Sequence, residues 1–329
     1  MSTPALSCAF PPSRDLPHYA ARAEELGYTR VWLYDSPALY GDIWVAIARA
    51  AEATDRIGLG TGVAVPSLRH PMVTASAIAT IEELAPGRLV CAFGTGFTAR
   101  MAMGRPAMRW ADLGRYVEQV RALLRGEVVE VEGAACQMIH SPGFAPPRPI
   151  EVPLWAAPVG PKGFGIARDV ADGVLVTGPP PQGEHWEHCA MLVQGTVLDA
   201  GEDHTSDRVR AAAGPWFVTS YHAMTEWAPA ALPAMPGGSE WWAGIEAERP
   251  DGERHLAVHE GHVVTVTDRD RPLLDAVGEG LLASGWTGPS DAVRERLAAA
   301  AAAGISEILY TPAGPDIERE LSAFAAAAT

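Results

Sequence analysis

Three short apolar runs of this chain each close on glycine, and helix-like stretches separate them. They are Gly58-Leu59-Gly60-Thr61-Gly62-Val63, Ala92-Phe93-Gly94-Thr95-Gly96 and Ala156-Ala157-Pro158-Val159-Gly160-Pro161-Lys162. Glycine at a strand end lets backbone approach a ligand closely or take up positive φ. Recurring at the carboxyl ends of successive strands, it predicts one concave site collared by βα loops, where barrel enzymes place their chemistry.

The alternation runs through most of the chain. Leu6 to Phe10, Arg30 to Tyr34, Ile57 to Thr61, Leu89 to Phe93, Val152 to Ala157, Gly173 to Val176 and Ile305 to Tyr310 read as strands. Helical patterns fall at Leu16 to Leu26, Asp42 to Ala53, Met72 to Leu84, Ala111 to Leu124, Gly163 to Val170, Ser290 to Ala303 and Asp316 to Ala328. Gly126 to Gly133 reads as a small hairpin and Pro142 to Pro153 as a proline-rich connector. Strands spaced by helices mean a parallel sheet, and about eight such units favour a closed (β/α)8 TIM barrel. At 329 residues and 48% apolar composition, the chain can bury one large core, so residues 1–329 are read as one domain. The stretch from Pro215 to Val264 breaks the rhythm, with Trp216, Trp227, Trp241, Trp242 and the histidines His255, His259 and His262. It is read as a lid-like insertion, residues 215–264, between late strands.

Composition narrows the function classes. A net charge of −15 argues against a nucleic-acid partner and against an anionic membrane surface. No apolar run approaches the ~18 residues of a membrane span, and no signal-like apolar region opens the chain, so a cytoplasmic protein is expected. The four cysteines, Cys8, Cys91, Cys136 and Cys189, show no metal-like spacing and read as structural thiols.

Taken together, these segments resemble the luciferase-like monooxygenase superfamily, in its branch of coenzyme F420-dependent reductases similar to methylenetetrahydromethanopterin reductase. The resemblance rests on Ala23-Glu24-Glu25-Leu26-Gly27-Tyr28, Val31-Trp32-Leu33-Tyr34-Asp35, Asp55-Arg56-Ile57-Gly58-Leu59-Gly60-Thr61-Gly62-Val63, Arg69-His70-Pro71, Ala85-Pro86-Gly87-Arg88-Leu89, Gly94-Thr95-Gly96 and Gly160-Pro161-Lys162. It implies a (β/α)8 barrel, a homodimer, and a deazaflavin ring at the C-terminal mouth. It also implies a non-proline cis peptide at Gly62-Val63, and it places Asp35, Ser36, Gly62, Val63, Gly94, Thr95, Gly96, Pro158, Val159, Gly160, Pro161 and Lys162 around the cofactor. Sugar-oxidising members of the superfamily carry histidine and glutamate where this chain has Ser36 and Phe97, so a sugar alcohol is not the expected substrate.

Read for themselves, the candidate residues leave alternatives open. Asp35 follows an apolar strand, where a carboxylate can accept from a ring N–H, act as a base, or cap a turn. Gly94-Thr95-Gly96 lacks the third glycine of a dinucleotide fingerprint, since position 99 is Ala99. Gly160-Pro161-Lys162 before a helix suits an anion, or is an ordinary turn. His255, His259 and His262 would share one face of a helix, but Gly261 and the β-branched run from Val263 argue against a helix there. No metal ligand is assigned; a hydrogen-bonded lid is the commoner outcome for such a group. Among active roles, His259, His262 and Asp35 are the candidates for proton handling.

The expected activity is hydride transfer between coenzyme F420 and a medium-sized organic substrate. FMN-dependent oxygenation on the same barrel is the alternative, and a cofactor-free hydrolase or isomerase using the histidine-rich insertion is the second.

Overall fold

The computed structural model describes residues 3–328. Ten strands occur among them: β1 (Ala5–Phe10), β2 (Arg30–Leu33), β3 (Gly58–Ala64), β4 (Leu89–Phe93), β5 (Val129–Val131), β6 (Ala134–Cys136), β7 (Leu154–Ala156), β8 (Val174–Val176), β9 (Cys189–Gln194) and β10 (Glu307–Thr311). Strands β5 and β6 form an antiparallel hairpin, and the other eight close a barrel in the order β1-β10-β9-β8-β7-β4-β3-β2. Every barrel pairing is parallel, as the expected (β/α)8 barrel requires.

The helices are α1 (Leu16–Glu25), α2 (Ile43–Ala53), α3 (Pro71–Leu84), α4 (Phe97–Met101), α5 (Trp110–Arg125), α6 (Gly160–Val170), α7 (Asp207–Trp227), α8 (Gly238–Glu248), α9 (Arg254–Val258), α10 (Arg271–Val277), α11 (Ser290–Ala302) and α12 (Ile317–Ala328). Local signals set several boundaries. The Asp42 side chain accepts from the Trp44 and Val45 amides and starts α2. His70 does the same for Met72 at the start of α3, and Gly126 at φ 79° stops α5.

The barrel interior is filled by Ala9, Trp32, Val90, Ala92, Trp155, Leu175, Ala190 and Leu309. Gly60 is part of this packing: a Cβ there would lie 2.5 Å from Cε3 of Trp32. The indole N–H of Trp32 donates to Glu307 Oε1 at 2.8 Å, and Arg30 pairs with the same carboxylate at 2.6 Å. Trp32 is therefore satisfied at its polar end while its ring fills the barrel.

Two features depart from the sequence reading. Strand β9, Cys-Ala-Met-Leu-Val-Gln, was not among the expected strands; its run has one β-branched residue, and no helix separates it from β8. Pro215, read as a break, lies inside the 21-residue helix α7. Helices α7 to α10 lie between β9 and β10 and share an apolar cluster that includes Tyr221, Trp241, Ile245, Leu273 and Leu274. No helix among the described residues is long and apolar enough to cross a membrane.

Candidate active site

A cavity of about 340 Å³ opens at the carboxyl ends of the barrel strands. Tyr34, Asp35 and Ser36 reach it from the end of β2, Gly62 and Val63 from β3, and Gly94 to Ala99 from β4 into α4. Ala157, Val159, Thr177 and Leu192 complete the barrel side. The opposite wall comes from Trp216, Thr219, Ala223 and Trp227 on α7, with His262 and Val263 beyond it. The spacing of those four α7 residues puts them on one helix face. A larger groove of about 710 Å³, lined by Arg69, Asp112, Arg115 and Glu130, lies on the outer wall, is open and polar, and does not collect the strand ends.

The peptide between Gly62 and Val63 is cis, as the resemblance implies. The β3–β4 register shifts between Thr61 and Ala64 around it. Gly94 faces this bulge: a Cβ there would stand 2.5 Å from Cγ2 of Val63. The glycine ladder thus serves the protein before any ligand. Gly60 admits Trp32, and Gly94 admits Val63 into the cavity floor.

Asp35 lies on this wall with its side chain only 1% exposed, and its carboxylate is already engaged. Oδ2 accepts from the Val65 amide at 3.0 Å and from Arg69 Nη1 at 2.7 Å, while Arg69 Nη2 reaches Asp42 at 2.8 Å. Burial pushes the Asp35 carboxyl up, against the pull of Arg69 and the Val65 amide. The pair ties the end of β2 to the loop after β3, the strand that holds the cis peptide. Arg69 was visible in the sequence only as part of Arg69-His70-Pro71, without this partner.

The histidines are rearranged relative to the expected helical face. Helix α9 ends at Val258, so His259 and His262 sit on a turn, and His255 packs elsewhere, against Gly104. Their companion is His222 on α7, which the sequence reading did not single out. Nδ1 of His222 lies 2.7 Å from Nδ1 of His262, and Nε2 of His262 lies 3.3 Å from Thr98 Oγ1. The His222 ring centroid is 5.6 Å from that of His259. All three are buried, and only His262 lines the cavity. Burial lowers His262 to about 3 and His259 to about 4, so both imidazoles are neutral near pH 7. A general acid works best with a pKa near the working pH, which neither group has here.

Three further features shape the cavity. Tyr40 donates its hydroxyl to the His262 carbonyl at 2.5 Å, linking the loop after β2 to the histidine turn. Val263, next to His262, holds φ at 55°, a left-handed conformation costly for a β-branched residue. Trp216 lines the cavity, and its buried indole N–H has no hydrogen-bond partner among the described residues. Phe97, at the position where sugar-oxidising relatives were expected to carry glutamate, instead packs on Trp227 with ring centroids 4.7 Å apart.

Of the residues expected near a cofactor, Asp35, Ser36, Gly62, Val63, Gly94, Thr95, Gly96 and Val159 line the cavity. Pro158 is buried beside it, whereas Gly160, Pro161 and Lys162 open α6 on the exposed surface outside the lining.

Comparison with known proteins bears on this arrangement. The family model described as luciferase-like monooxygenase matches residues 2–307. A 5,10-methylenetetrahydromethanopterin reductase of Methanolobus tindarius is 31% identical over 214 residues, 61% of this chain and 61% of that protein. An F420-dependent glucose-6-phosphate dehydrogenase of Beutenbergia cavernae is 33% identical over 50% of this chain and 52% of its own. The chain thus spans about half to three fifths of these curated relatives. Among solved structures, the coenzyme F420 dependent tetrahydromethanopterin reductase from Methanopyrus kandleri superposes with a TM-score of 0.69 at 18% identity, covering 98% of each chain. The oxygenating constituent of 3,6-diketocamphane monooxygenase from Pseudomonas putida, in complex with FMN, superposes at 0.58 with 13% identity, over 98% of this chain and 97% of its own. At such identities the likeness establishes the shared fold.

Proposed function

This chain belongs to the luciferase-like monooxygenase family, and from that premise we propose that it is an oxidoreductase transferring a hydride between coenzyme F420 and a medium-sized organic substrate. The observation that supports the reading is the cavity wall itself: a glycine-lined floor at Gly62, Gly94 and Gly96, and on α7 Trp216, whose buried indole N–H has no partner among the described residues. A buried unpaired donor is costly unless a ligand acceptor satisfies it. A cavity of about 340 Å³ is at the small end of ligand sites and suits a planar ring system, with any longer tail leaving through the mouth. These residues fit a deazaflavin or flavin ring. The F420-dependent glucose-6-phosphate dehydrogenases among its relatives favour the deazaflavin.

When bound, the deazaflavin supplies a carbon that accepts or gives a hydride. This chain's residues place and shield it. Gly62, Val63 and Gly94 form the floor, and Ser36, Thr95 and Gly96 border it. Asp35, held by Arg69, keeps the end of β2 against the loop that follows β3, the strand bearing the cis peptide. Pro158, Val159, Gly160, Pro161 and Lys162 flank the mouth, where the lone lysine and the start of α6 suit an anionic tail. Trp216, Trp227 and Phe97 form an apolar wall that selects an apolar or aromatic substrate and excludes water. His262, neutral and directed at Thr98, orients a polar substrate group, and His259 supports it from behind. The proton then comes from bound water. The insertion, residues 215–264, acts as the lid of this site, and a cytoplasmic homodimer is part of the same proposal.

FMN-dependent oxygenation is the second reading, because the family to which the chain belongs is described by its monooxygenases. Calorimetric titration with F420 and with FMN, done separately, tests both. Micromolar binding of F420 with much weaker FMN binding is expected. Preference for FMN moves the assignment to oxygen chemistry, and binding of neither overturns the cofactor reading.

A further inference from the structure

The helical segment between β9 and β10 buries three imidazoles against one another and leaves part of their hydrogen-bonding capacity unmet. One ring nitrogen from each of His222, His259 and His262 lies within 4.8 Å of the other two. His222 and His262 meet Nδ1 to Nδ1 at 2.7 Å, so only one of these two nitrogens carries the hydrogen. Whichever tautomer holds, Nε2 of His222 is buried without a partner among the described residues, and so is Nδ1 of His259. Two orphaned ring nitrogens in one apolar cluster are a cost that packing alone does not explain.

We infer that His222, His259 and His262 form a binding site for a divalent zinc-class ion. The donor set is all imidazole, with no thiolate or carboxylate, which suits Zn²⁺, Cu²⁺ or Ni²⁺ and disfavours Mg²⁺ or Ca²⁺. Zinc–nitrogen bonds of about 2.0–2.1 Å place tetrahedral ligands roughly 3.4 Å apart. The His222–His262 contact would therefore open and the wider separation would contract, both by small ring rotations. Burial keeps the three rings neutral, the form that ligates metal. The nearby positive charge of Arg269 is offset by Glu248 at 2.6 Å and Glu260 at 2.9 Å.

The neighbours form a shell that would hold the ligands in place. His222 stacks on Trp241 with centroids 6.0 Å apart, and Tyr40 grips the His262 carbonyl at 2.5 Å. Three protein nitrogens leave a fourth position for water or a ligand atom, and His262 sets the ion at the edge of the cavity. The sequence grouped His262 with His255 and His259 and assigned no metal; the third ligand here, His222, lies 40 residues before His262, on α7.

The test uses the full chain, stripped with chelator, reloaded with ZnCl2 and gel-filtered, with zinc counted by mass spectrometry. One zinc per chain is expected for the native protein and for the surface control His185→Gln. His222→Phe, which preserves stacking on Trp241, and His259→Gln should each weaken retention by more than roughly 100-fold, beyond what loss of a supporting residue costs. Circular dichroism identifies any variant that has unfolded. In that event the native protein decides alone: loading with Co²⁺ should produce the visible absorption bands of a four-coordinate nitrogen site. Absence of those bands, or zinc retained equally by folded His222→Phe and His259→Gln proteins, overturns the site.

Discussion

Arg69 Nη1 donates to Asp35 Oδ2 across 2.7 Å, and the side chains of the two residues are 14% and 1% exposed. This pair joins the loops after β2 and β3 at the cavity edge. Removing the Asp35 charge leaves Arg69 paired with Asp42 at 2.8 Å, so the loss should fall below the ~3 kcal/mol typical of breaking an isolated buried pair. Asp35→Asn should therefore lower the urea midpoint and weaken F420 binding together, while the double change of Asp35→Asn with Arg69→Met should recover much of the stability. Unchanged stability in Asp35→Asn would remove the pair from any structural role.

Gly94 has no room for a side chain, because a Cβ would meet Cγ2 of Val63 at 2.5 Å. Gly94→Ala should cost about 1–3 kcal/mol through overpacking and displace the cavity floor. Adding Val63→Ala removes the clashing methyl and should restore both stability and cofactor affinity. Failure of this rescue, measured by thermal unfolding and titration, would show that the contact is relieved some other way.

Trp216 carries a buried donor without a partner. Trp216→Phe deletes that donor and keeps most of the ring, so the ligand-free protein should be as stable as the native chain or more so. If the N–H meets the cofactor or substrate, affinity for that ligand falls about tenfold, or about 1.4 kcal/mol. Ligand affinities that all survive the change would place the ligands away from α7.

Glu202 supplies a pH prediction. Its hydrogen bond to Arg208 lowers the carboxyl from 4.5 to about 2. A group whose folded value lies below its unfolded one stabilises fully above the unfolded value and loses that contribution as pH falls toward the folded one. The contribution should fade between pH 4.5 and about 2, and it is on the order of 1 kcal/mol because solvent screens a partly exposed pair. Glu202→Gln should flatten the acid side of the stability curve over that window, followed by urea unfolding at several pH values. A wild-type slope there would argue against the pair.

Strand-by-strand periodicity made the barrel legible. Leu89 to Phe93 and Arg30 to Leu33 are apolar runs bounded by helices, and the folded chain places them where their pattern says. The strand-end glycines were legible in the residues themselves, and the cis peptide at Gly62-Val63 through family resemblance. Strand β9 was not, since Cys-Ala-Met-Leu-Val-Gln owes its conformation to pairing with Val174 to Val176 on one side and Glu307 to Thr311 on the other.

The sequence by itself determined the barrel class, the end of the barrel that carries the cavity, and most residues of its floor, because these follow from local alternation and strand-end glycine. Only the tertiary structure decided what those groups touch. It gave the Asp35 carboxylate to Arg69 and the Val65 amide, sent His255 to Gly104, and brought His222 from α7 to His259 and His262. Periodicity reports the neighbours of a residue within its own helix or strand. Contacts between elements are set by how the whole chain buries its apolar surface, and short-range spacing carries no record of them.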